Sequence, residues 1–290
     1  MNKYKIKKLK SIDELIRVIE FLKNGFLEND SYGYEILKYI LSVNKNKEFF
    51  GFYILDGAII YGAVLTPFQG FYSNGDSKCT EIYSLSSWYV HPKYRGIPAL
   101  QLQKNVISSL KNSIITNYTP NLKAVKIFKA LGFKLMKSFI YRSALSFSTF
   151  IKGSKQAIID EIPLTEFYSK EITLANYKFL HIKNFVFKVN ELETLYFCGS
   201  IRKKKFPLFK VSYFMVLWTS NDITFLKNID TVKKFMLRLY KCFGIMLYSH
   251  ELVNTNRQNI RVDNVSFLIK SLEDISYIPP IGSELSVGQY

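Results

Sequence analysis

The stretch Ser84–Leu100 combines residue types and spacing that suit the binding of a phosphate or pyrophosphate. An apolar, aromatic strand is predicted to end at His91-Pro92, a short turn carries Arg95 and Gly96, and Pro98 opens a helix. The N-terminus of a helix leaves backbone N–H groups unpaired and carries the positive end of the helix dipole. Gly96 permits close approach of the backbone, and proline suits the first helical position. The sequence therefore predicts an anion site at this turn.

A second motif follows about 35 residues downstream, where Asn121–Phe133 carries the pattern Asn-x-x-Ala and ends on Gly132-Phe133. Together with Val90–Gly96, this segment resembles the GNAT superfamily of acyl-CoA N-acyltransferases, and the resemblance covers roughly residues 1–148. It implies a GNAT-like mixed sheet flanked by helices, an α/β (α+β) fold. It also implies that the turn binds the pyrophosphate of coenzyme A and that the pantetheine arm lies between two strands that splay apart.

The resemblance implies cofactor contacts along the strand, the turn and the two helices that follow. Leu85 to Tyr89 is expected to pair its backbone with the pantetheine arm. Pro98 has no N–H and occupies, with Leu100, the loop's two usual small positions. The residues assigned to coenzyme A on this basis are Tyr89, Val90, Arg95, Gly96, Ile97, Ala99, Leu100, Asn121 and Phe128.

Acyl transfer from a thioester to an amine requires a polarised carbonyl, a deprotonated amine and a stabilised thiolate. By resemblance, Glu81 is the candidate base, and the alternative is an ordinary ion pair or a solvent-facing position. Phe128 stands where many members have the tyrosine that protonates the thiolate, so Tyr118 is the candidate substitute; its alternative role is packing. His91 could relay a proton, although a structural or surface role is the alternative.

The predicted elements of residues 1–148 occur in the order that the resemblance requires. The capping-box pattern Ser11–Glu14 predicts the start of an amphipathic helix, and Asp56-Gly57 predicts a hairpin. Predicted strands cover 4–9, 48–55, 58–66, 79–90, 113–118 and 134–145; predicted helices follow Ser11, cover 34–43 and Pro98 onward, and run from a Thr119-Pro120 start to Gly132.

Residues 149–290 are predicted to form a second, smaller α/β domain. A new element is expected at Asp160, strands at 211–219, 245–253 and 261–270, and a helix at 230–243. Val125–Gly132 and Leu237–Gly244 match in hydrophobic pattern, which indicates an internal repeat and a degenerate second GNAT-like domain. The second copy lacks an Arg-Gly-x-x-Ala loop, so it is not expected to hold coenzyme A.

The composition is that of a globular protein, with 290 residues, 48% hydrophobic and 16% aromatic. The net charge of +17 allows an anionic partner such as nucleic acid, but a general bias toward Lys, Asn, Ile, Phe and Tyr explains it without any partner and is the favoured interpretation. Nucleic acid is therefore not the expected partner. The cluster Arg202–Lys205 is predicted to be a solvated loop, with a binding patch as the alternative.

No apolar run is long enough to span a bilayer, and the basic N-terminus is not predicted to be a signal peptide. Three scattered cysteines, Cys79, Cys198 and Cys242, lack metal spacing, are expected to be small buried side chains, and suit a reducing cytoplasm. No metal is expected.

The leading hypothesis is an N-acyltransferase, most simply an N-acetyltransferase, that uses acetyl-CoA or another acyl-CoA by direct attack of an amine. The acceptor could be a small amine, an amino sugar or a protein amine. The rival hypothesis is a non-catalytic GNAT-like binding or scaffold protein.

Overall fold

The computed structural model describes residues 4–26, 30–45, 47–73, 79–118, 121–144, 158–162, 172–174, 182–205, 210–250, 252–253, 260–272 and 275. These residues form two sheets with helices packed on them. Within these ranges, no helix is long and apolar enough to cross a membrane.

The first half of the chain alternates strands and helices in an order close to the predicted one. The capping box is present, since Ser11 Oγ accepts from Glu14 N at 3.1 Å and Glu14 Oε2 accepts from Ser11 N at 3.4 Å. The elements are β1 (Tyr4–Leu9), α1 (Ile12–Phe26), α2 (Asp30–Val43), β2 (Gly51–Asp56), β3 (Ile59–Leu65), β4 (Phe68–Ser73), β5 (Cys79–Ser84), β6 (Ser86–Val90), a 3-10 turn (Pro92–Tyr94), α3 (Ile97–Ser109), β7 (Ile114–Asn117), α4 (Leu122–Ala130) and β8 (Lys134–Ala144).

The described part of the second half consists mostly of strands, with two helices between β13 and β14. Its elements are β9 (Ile158–Ile162), β10 (Ile172–Leu174), β11 (Ile182–Lys188), β12 (Thr194–Lys205), β13 (Lys210–Thr219), α5 (Asp222–Lys227), α6 (Ile229–Tyr240), β14 (Cys242–Ser249) and β15 (Arg261–Lys270).

The small sheet has the order β1-β2-β3-β6 and forms a middle layer. Side chains alternate across it because successive residues of a strand point to opposite faces. On β2, Phe52 and Ile54 join the core beneath α3 and α4, whereas Tyr53 joins the core beneath α1 and α2. This layer fixes β6 between two helical layers.

The large sheet has eleven strands and joins the two halves of the chain, in the order β10-β4-β5-β7-β15-β8-β14-β13-β12-β11-β9. β15, from the C-terminal half, lies between β7 and β8 and pairs antiparallel with both. The described strands of residues 1–148 and 149–290 therefore share one hydrogen-bonded sheet.

The proposed internal repeat aligns two helices that make different connections. Val125–Gly132 includes most of α4, which leads from β7 to β8, and β15 separates these two strands. Leu237–Gly244 includes the end of α6, which leads from β13 to its parallel neighbour β14. Helix α3, by contrast, leads from β6 to β7, and β7 pairs in parallel with β5, the strand before β6.

Several sequence predictions were wrong in detail. Strand β4 lies between the predicted strands 58–66 and 79–90, where no strand was predicted, and the predicted strand 79–90 is two strands. Arg202–Lys203 belong to strand β12 and not to a loop, and Arg202 is 5% exposed. Cys198 and Cys242 are buried as expected, but Cys79 is exposed.

Helix starts also differ from the predictions. Ile97 is the first residue of α3 and Pro98 the second, a position that also lacks an intrahelical N–H bond. Helix α4 is capped by Asn121, whose side chain accepts from Ala124 N at 2.9 Å. The predicted cap at Thr119-Pro120 lies outside the described residues.

Candidate functional site

The chain leaves β7 at one point, where β5 ends and β6 begins. Strands β5 and β7 pair in parallel as far as Ser84 opposite Thr116, and Leu85 N still donates to Thr116 O at 2.7 Å. The chain then passes to β6, which is the edge strand of the small sheet and pairs with β3. Ser87, at φ +51°, lies in an irregular stretch of that pairing. Beyond Leu85, β6 and β7 therefore belong to different sheets and are not paired with each other, and the space between them is called the split below.

The backbone of β6 presents polar groups to the split. His91 N donates to Tyr61 O at 2.8 Å, so the backbone of His91 faces β3. Because hydrogen-bonded and non-hydrogen-bonded pairs alternate in an antiparallel ladder, Val90 and Trp88 face the other way. Leu85 is already bonded to Thr116, so it does not contribute to the expected pairing with the arm.

The turn Lys93–Gly96, called the anion loop, leads directly into α3. Gly96 is the N-cap residue at φ +100° and ψ −127°, a conformation favourable only for glycine. A Cβ added there would meet nothing within 4 Å, so the space beside the backbone is open. The N–H groups of Gly96, Ile97 and Ala99 precede the first helical hydrogen bond.

Leu100 differs from the other predicted donors. Its N–H donates to Gly96 O at 3.0 Å, as the first bond of the helix. The expected set of four backbone donors is therefore reduced to three. Three N–H groups at the positive end of a helix still make a suitable anion site.

The anion loop is anchored on both sides. The Tyr94 hydroxyl donates to the Asp56 carboxylate, which raises the pKa of Tyr94 to about 12, and its ring lies 4.5 Å from that of Tyr61. Arg95 is exposed, and its Nε donates to Val90 O at 3.2 Å, so the side chain folds back over the end of β6. These contacts place a guanidinium beside the entrance to the split.

Helix α4 flanks the split on the other side, just after β7. Asn121 serves as its cap, so its side-chain oxygen is engaged by Ala124 N. Phe128 is 0% exposed and packs against Trp88 and Phe133, with ring centroids at 5.5 and 4.9 Å. Phe128 therefore offers no exposed surface to a cofactor in this conformation.

Glu81 lies on β5 and is held by two donors. Lys47 Nζ lies 2.5 Å from Oε1, and the Tyr83 hydroxyl donates to Oε2 at 2.9 Å. Lys47 also sits over the ring of Phe68, 3.7 Å from its centroid. This is the ion pair that was the predicted alternative to a catalytic role.

Tyr118 is buried on another side of the structure from Phe128. It stacks on Phe267 at 5.4 Å in a cluster with Ile82 and Ile114, whereas Phe128 belongs to the core beneath α3 and α4. Burial raises the pKa of Tyr118. The structure does not bring Tyr118 together with Phe128 and Trp88, which favours packing as its role.

His91 and Trp88 complete the inventory of the site. His91 is exposed, and its Nδ1 accepts from Lys93 N at 3.3 Å, so it caps the 3-10 turn. Trp88 was included in the segment expected to pair its backbone with the arm, but no function of its side chain was predicted. The signal available in the sequence was its position on the same strand, two residues before Val90. No group of acidic, histidine or cysteine side chains in the described ranges is arranged to hold a metal ion.

No family model and no curated protein matches the chain by sequence. Comparison by structure finds many matches. A GCN5-related N-acetyltransferase from Anabaena variabilis matches with a TM-score of 0.62 at 10% identity, over 93% of this chain and 73% of that one. A GCN5-related N-acetyltransferase from Kribbella flavida gives 0.60 at 9% identity, over 93% and 71%.

An N-myristoyltransferase from Saccharomyces cerevisiae, solved with bound myristoyl-CoA and inhibitors, gives a TM-score of 0.54 at 9% identity, over 93% and 80%. The matches cover nearly the whole chain, beyond the half to which the sequence resemblance extended. With the split and the anion loop, they show that this chain has the fold of the GNAT superfamily.

Proposed function

We propose that this protein is an acyl-CoA-dependent N-acyltransferase that moves an acyl group, most simply acetyl, from coenzyme A to an amine. The observation that supports this most is the junction of the split with the N-terminus of α3. Three backbone N–H groups, an open space at Gly96 and the guanidinium of Arg95 meet there. These groups suit a pyrophosphate, because oriented amides and arginine both favour phosphate oxygens.

In this proposal the pantetheine arm runs from the anion loop into the split. The N–H of Val90 and the backbone groups of Trp88 are offered to the arm's amides as a neighbouring strand would offer them, whereas Val90 O already accepts from Arg95. One structural match carries bound myristoyl-CoA and others are acetyltransferases, and both facts support an acyl-CoA donor. We propose that the protein works in the cytoplasm on a small amine, an amino sugar or a protein amine.

The chemical step needs an uncharged amine. Because Glu81 is engaged by Lys47 and Tyr83, we propose that the acceptor loses its ammonium proton to water before it attacks. The rate then rises with pH until the acceptor itself is deprotonated. Backbone N–H groups that face the split polarise the acyl carbonyl, as preorganised donors do in acyl transfer.

A second candidate function is a GNAT-like protein that binds acyl-CoA without transferring the acyl group. Two observations favour it: Phe128 has no hydroxyl for the thiolate, and both oxygens of Glu81 are occupied. The first function requires release of free thiol with an amine acceptor, whereas the second requires binding alone.

Calorimetric titration of the whole chain with acetyl-CoA, followed by a thiol-release assay over a panel of amines, distinguishes these functions. Binding that Arg95→Glu weakens at least tenfold, together with amine-dependent thiol release, is the expected result. Binding without thiol release supports the second function. Absence of binding contradicts both.

A further inference from the structure

The side chain of Trp88 carries a buried donor that the described protein does not use. Its indole Nε1 is shielded from solvent and has no hydrogen-bond partner among the described residues. Indole N–H can only donate, and a buried donor without an acceptor is costly to the fold. An acceptor brought by a bound ligand would satisfy this donor, and a catalytic role is one recognised reason for such a group.

Trp88 bridges the two sides of the split. It lies on β6, on the same face as Val90, because residues two apart in a strand share a face. Its ring packs on Phe128 of α4, the helix that follows β7. The indole therefore joins β6 to α4 through a direct ring contact.

The position of Trp88 along the split also fits the reacting end of the cofactor. The anion loop is at the open end, and Leu85, bonded to Thr116, marks the closed end. Trp88 lies two residues deeper than Val90, about 7 Å at the usual rise of a strand. A cofactor held by its pyrophosphate at the loop extends its thioester toward this depth.

Phe128 leaves the sulfur without a phenol. Attack of the amine nitrogen on the acyl carbon forms the C–N bond, and the C–S bond breaks with its electron pair retained by sulfur. The proton of the newly acylated nitrogen ends on that sulfur, which gives the free thiol. The indole N–H takes no part in the proton balance, but it can donate a hydrogen bond to sulfur while the negative charge is present.

We propose that Trp88 is a catalytic residue whose indole N–H donates a hydrogen bond to the coenzyme A sulfur and stabilises the departing thiolate. This inference rests on the proposed function, since it requires a coenzyme A thioester in the split. In this proposal, a side chain of β6 stabilises the thiolate, because Phe128 on α4 has no hydroxyl with which to do so.

The chain contains two tryptophans, so Trp218→Phe leaves Trp88 as the single indole fluorophore. Trp218 lies on β13, in the cluster around Met215 and Leu217, and serves as the matched position. In this variant, coenzyme A is expected to change the emission of Trp88, and desulfo-coenzyme A is expected to bind with a smaller change. Equal changes with both ligands, or none at saturation, overturn the inference.

The pKa of the bound thiol gives a second test that needs no acceptor. Thiolate absorbance of bound coenzyme A is followed against pH in the wild type and in Trp88→Phe, which keeps an aromatic ring against Phe128. Loss of the N–H is expected to raise the thiol pKa by about one unit. An unchanged thiol pKa contradicts a hydrogen bond to sulfur, even if the variant is less stable.

With an amine acceptor, Trp88→Phe is expected to lower kcat about tenfold to a hundredfold with KM within about threefold, as for loss of a hydrogen bond to a charged group. Trp218→Phe is expected to leave both unchanged. A wild-type kcat in Trp88→Phe overturns the inference. If calorimetry detects no coenzyme A binding, the proposed function itself fails, whereas binding with an unresponsive Trp88 refutes the role of Trp88 alone.

Discussion

At the scale of single residues, the site depends on backbone donors more than on side chains. Gly96 was predictable from sequence, because a glycine between a strand and a helix start indicates a special conformation. The role of Trp88 was not predictable, because a tryptophan in an aromatic strand resembles any core residue. Its unpaired Nε1 is seen only in the three-dimensional structure. The contacts of Glu81 with Lys47 were likewise hidden, since 34 residues separate them.

Gly96→Ala is expected to weaken acyl-CoA binding, and by more than the loss of folding stability accounts for. A side chain at φ +100° costs about 1–3 kcal/mol of folding free energy, and its Cβ fills the open space proposed for the pyrophosphate. Gly57→Ala is the matched control, since Gly57 also has positive φ, at +61°, and open space. Thermal unfolding and calorimetry are measured on both; equal affinities in the two variants contradict the placement of the pyrophosphate.

Glu81→Gln is expected to reduce acyl transfer by no more than about threefold and stability by about 0.5–1 kcal/mol, as for a partly exposed ion pair. The physical reason is that Glu81 holds Lys47 and Tyr83 instead of facing an acceptor. Glu161 makes a similar set with Lys183 and Tyr240, so Glu161→Gln is the control. A loss of activity near a hundredfold in Glu81→Gln alone identifies it as the base after all.

At the scale of elements, the sequence pattern predicted most strands and helices but not the break between β5 and β6. The sequence from Cys79 to Val90 predicts one continuous strand, because the pattern of side chains does not show which neighbouring strand each part pairs with. The split follows from that change of partner, at Leu85. Helix α4 was predicted, but its cap was placed two residues early, because Thr-Pro and Asn both suit a helix start.

Substitutions of Asn121 separate capping from cofactor contact. Asn121→Ala is expected to lower stability by about 1 kcal/mol because Ala124 N loses its acceptor. Asn121→Ser retains a capping oxygen and is expected to restore both stability and acyl-CoA affinity. Asn221→Ala, which removes a similar cap from α5, is the control for stability. Stable Asn121→Ser protein with affinity as low as Asn121→Ala indicates a direct contact with the cofactor instead.

At the scale of the whole molecule, the two halves depend on each other. β15 pairs with β8 over residues 261–269 and with β7 over 268–270, so the first half lacks an internal strand without it. The segment itself was predicted as a strand with the correct bounds. The position of β15 within the sheet was not predicted, because strand order depends on contacts between residues more than a hundred positions apart.

A cut introduced between residues 148 and 158 is expected to leave one particle. The two pieces should elute together in size exclusion at neutral pH and separate only in denaturant, since the sheet pairings of β8 with β14 and β15 hold them. Residues 1–148 expressed alone are expected to aggregate, because β7 and β8 then expose unpaired edges. Soluble 1–148 with cooperative unfolding contradicts this dependence.

In the proposed complex, the N–H groups of Gly96, Ile97 and Ala99 bind the pyrophosphate of an acyl-CoA. Backbone amide spectra of the ¹⁵N-labelled whole chain, recorded by nuclear magnetic resonance during titration with coenzyme A, test it most directly. Leu100 is the internal control, because its N–H already donates to Gly96 O. We expect large downfield shifts for the first three amides and a smaller shift for Leu100. Saturable binding that leaves Gly96, Ile97 and Ala99 unshifted contradicts the claim.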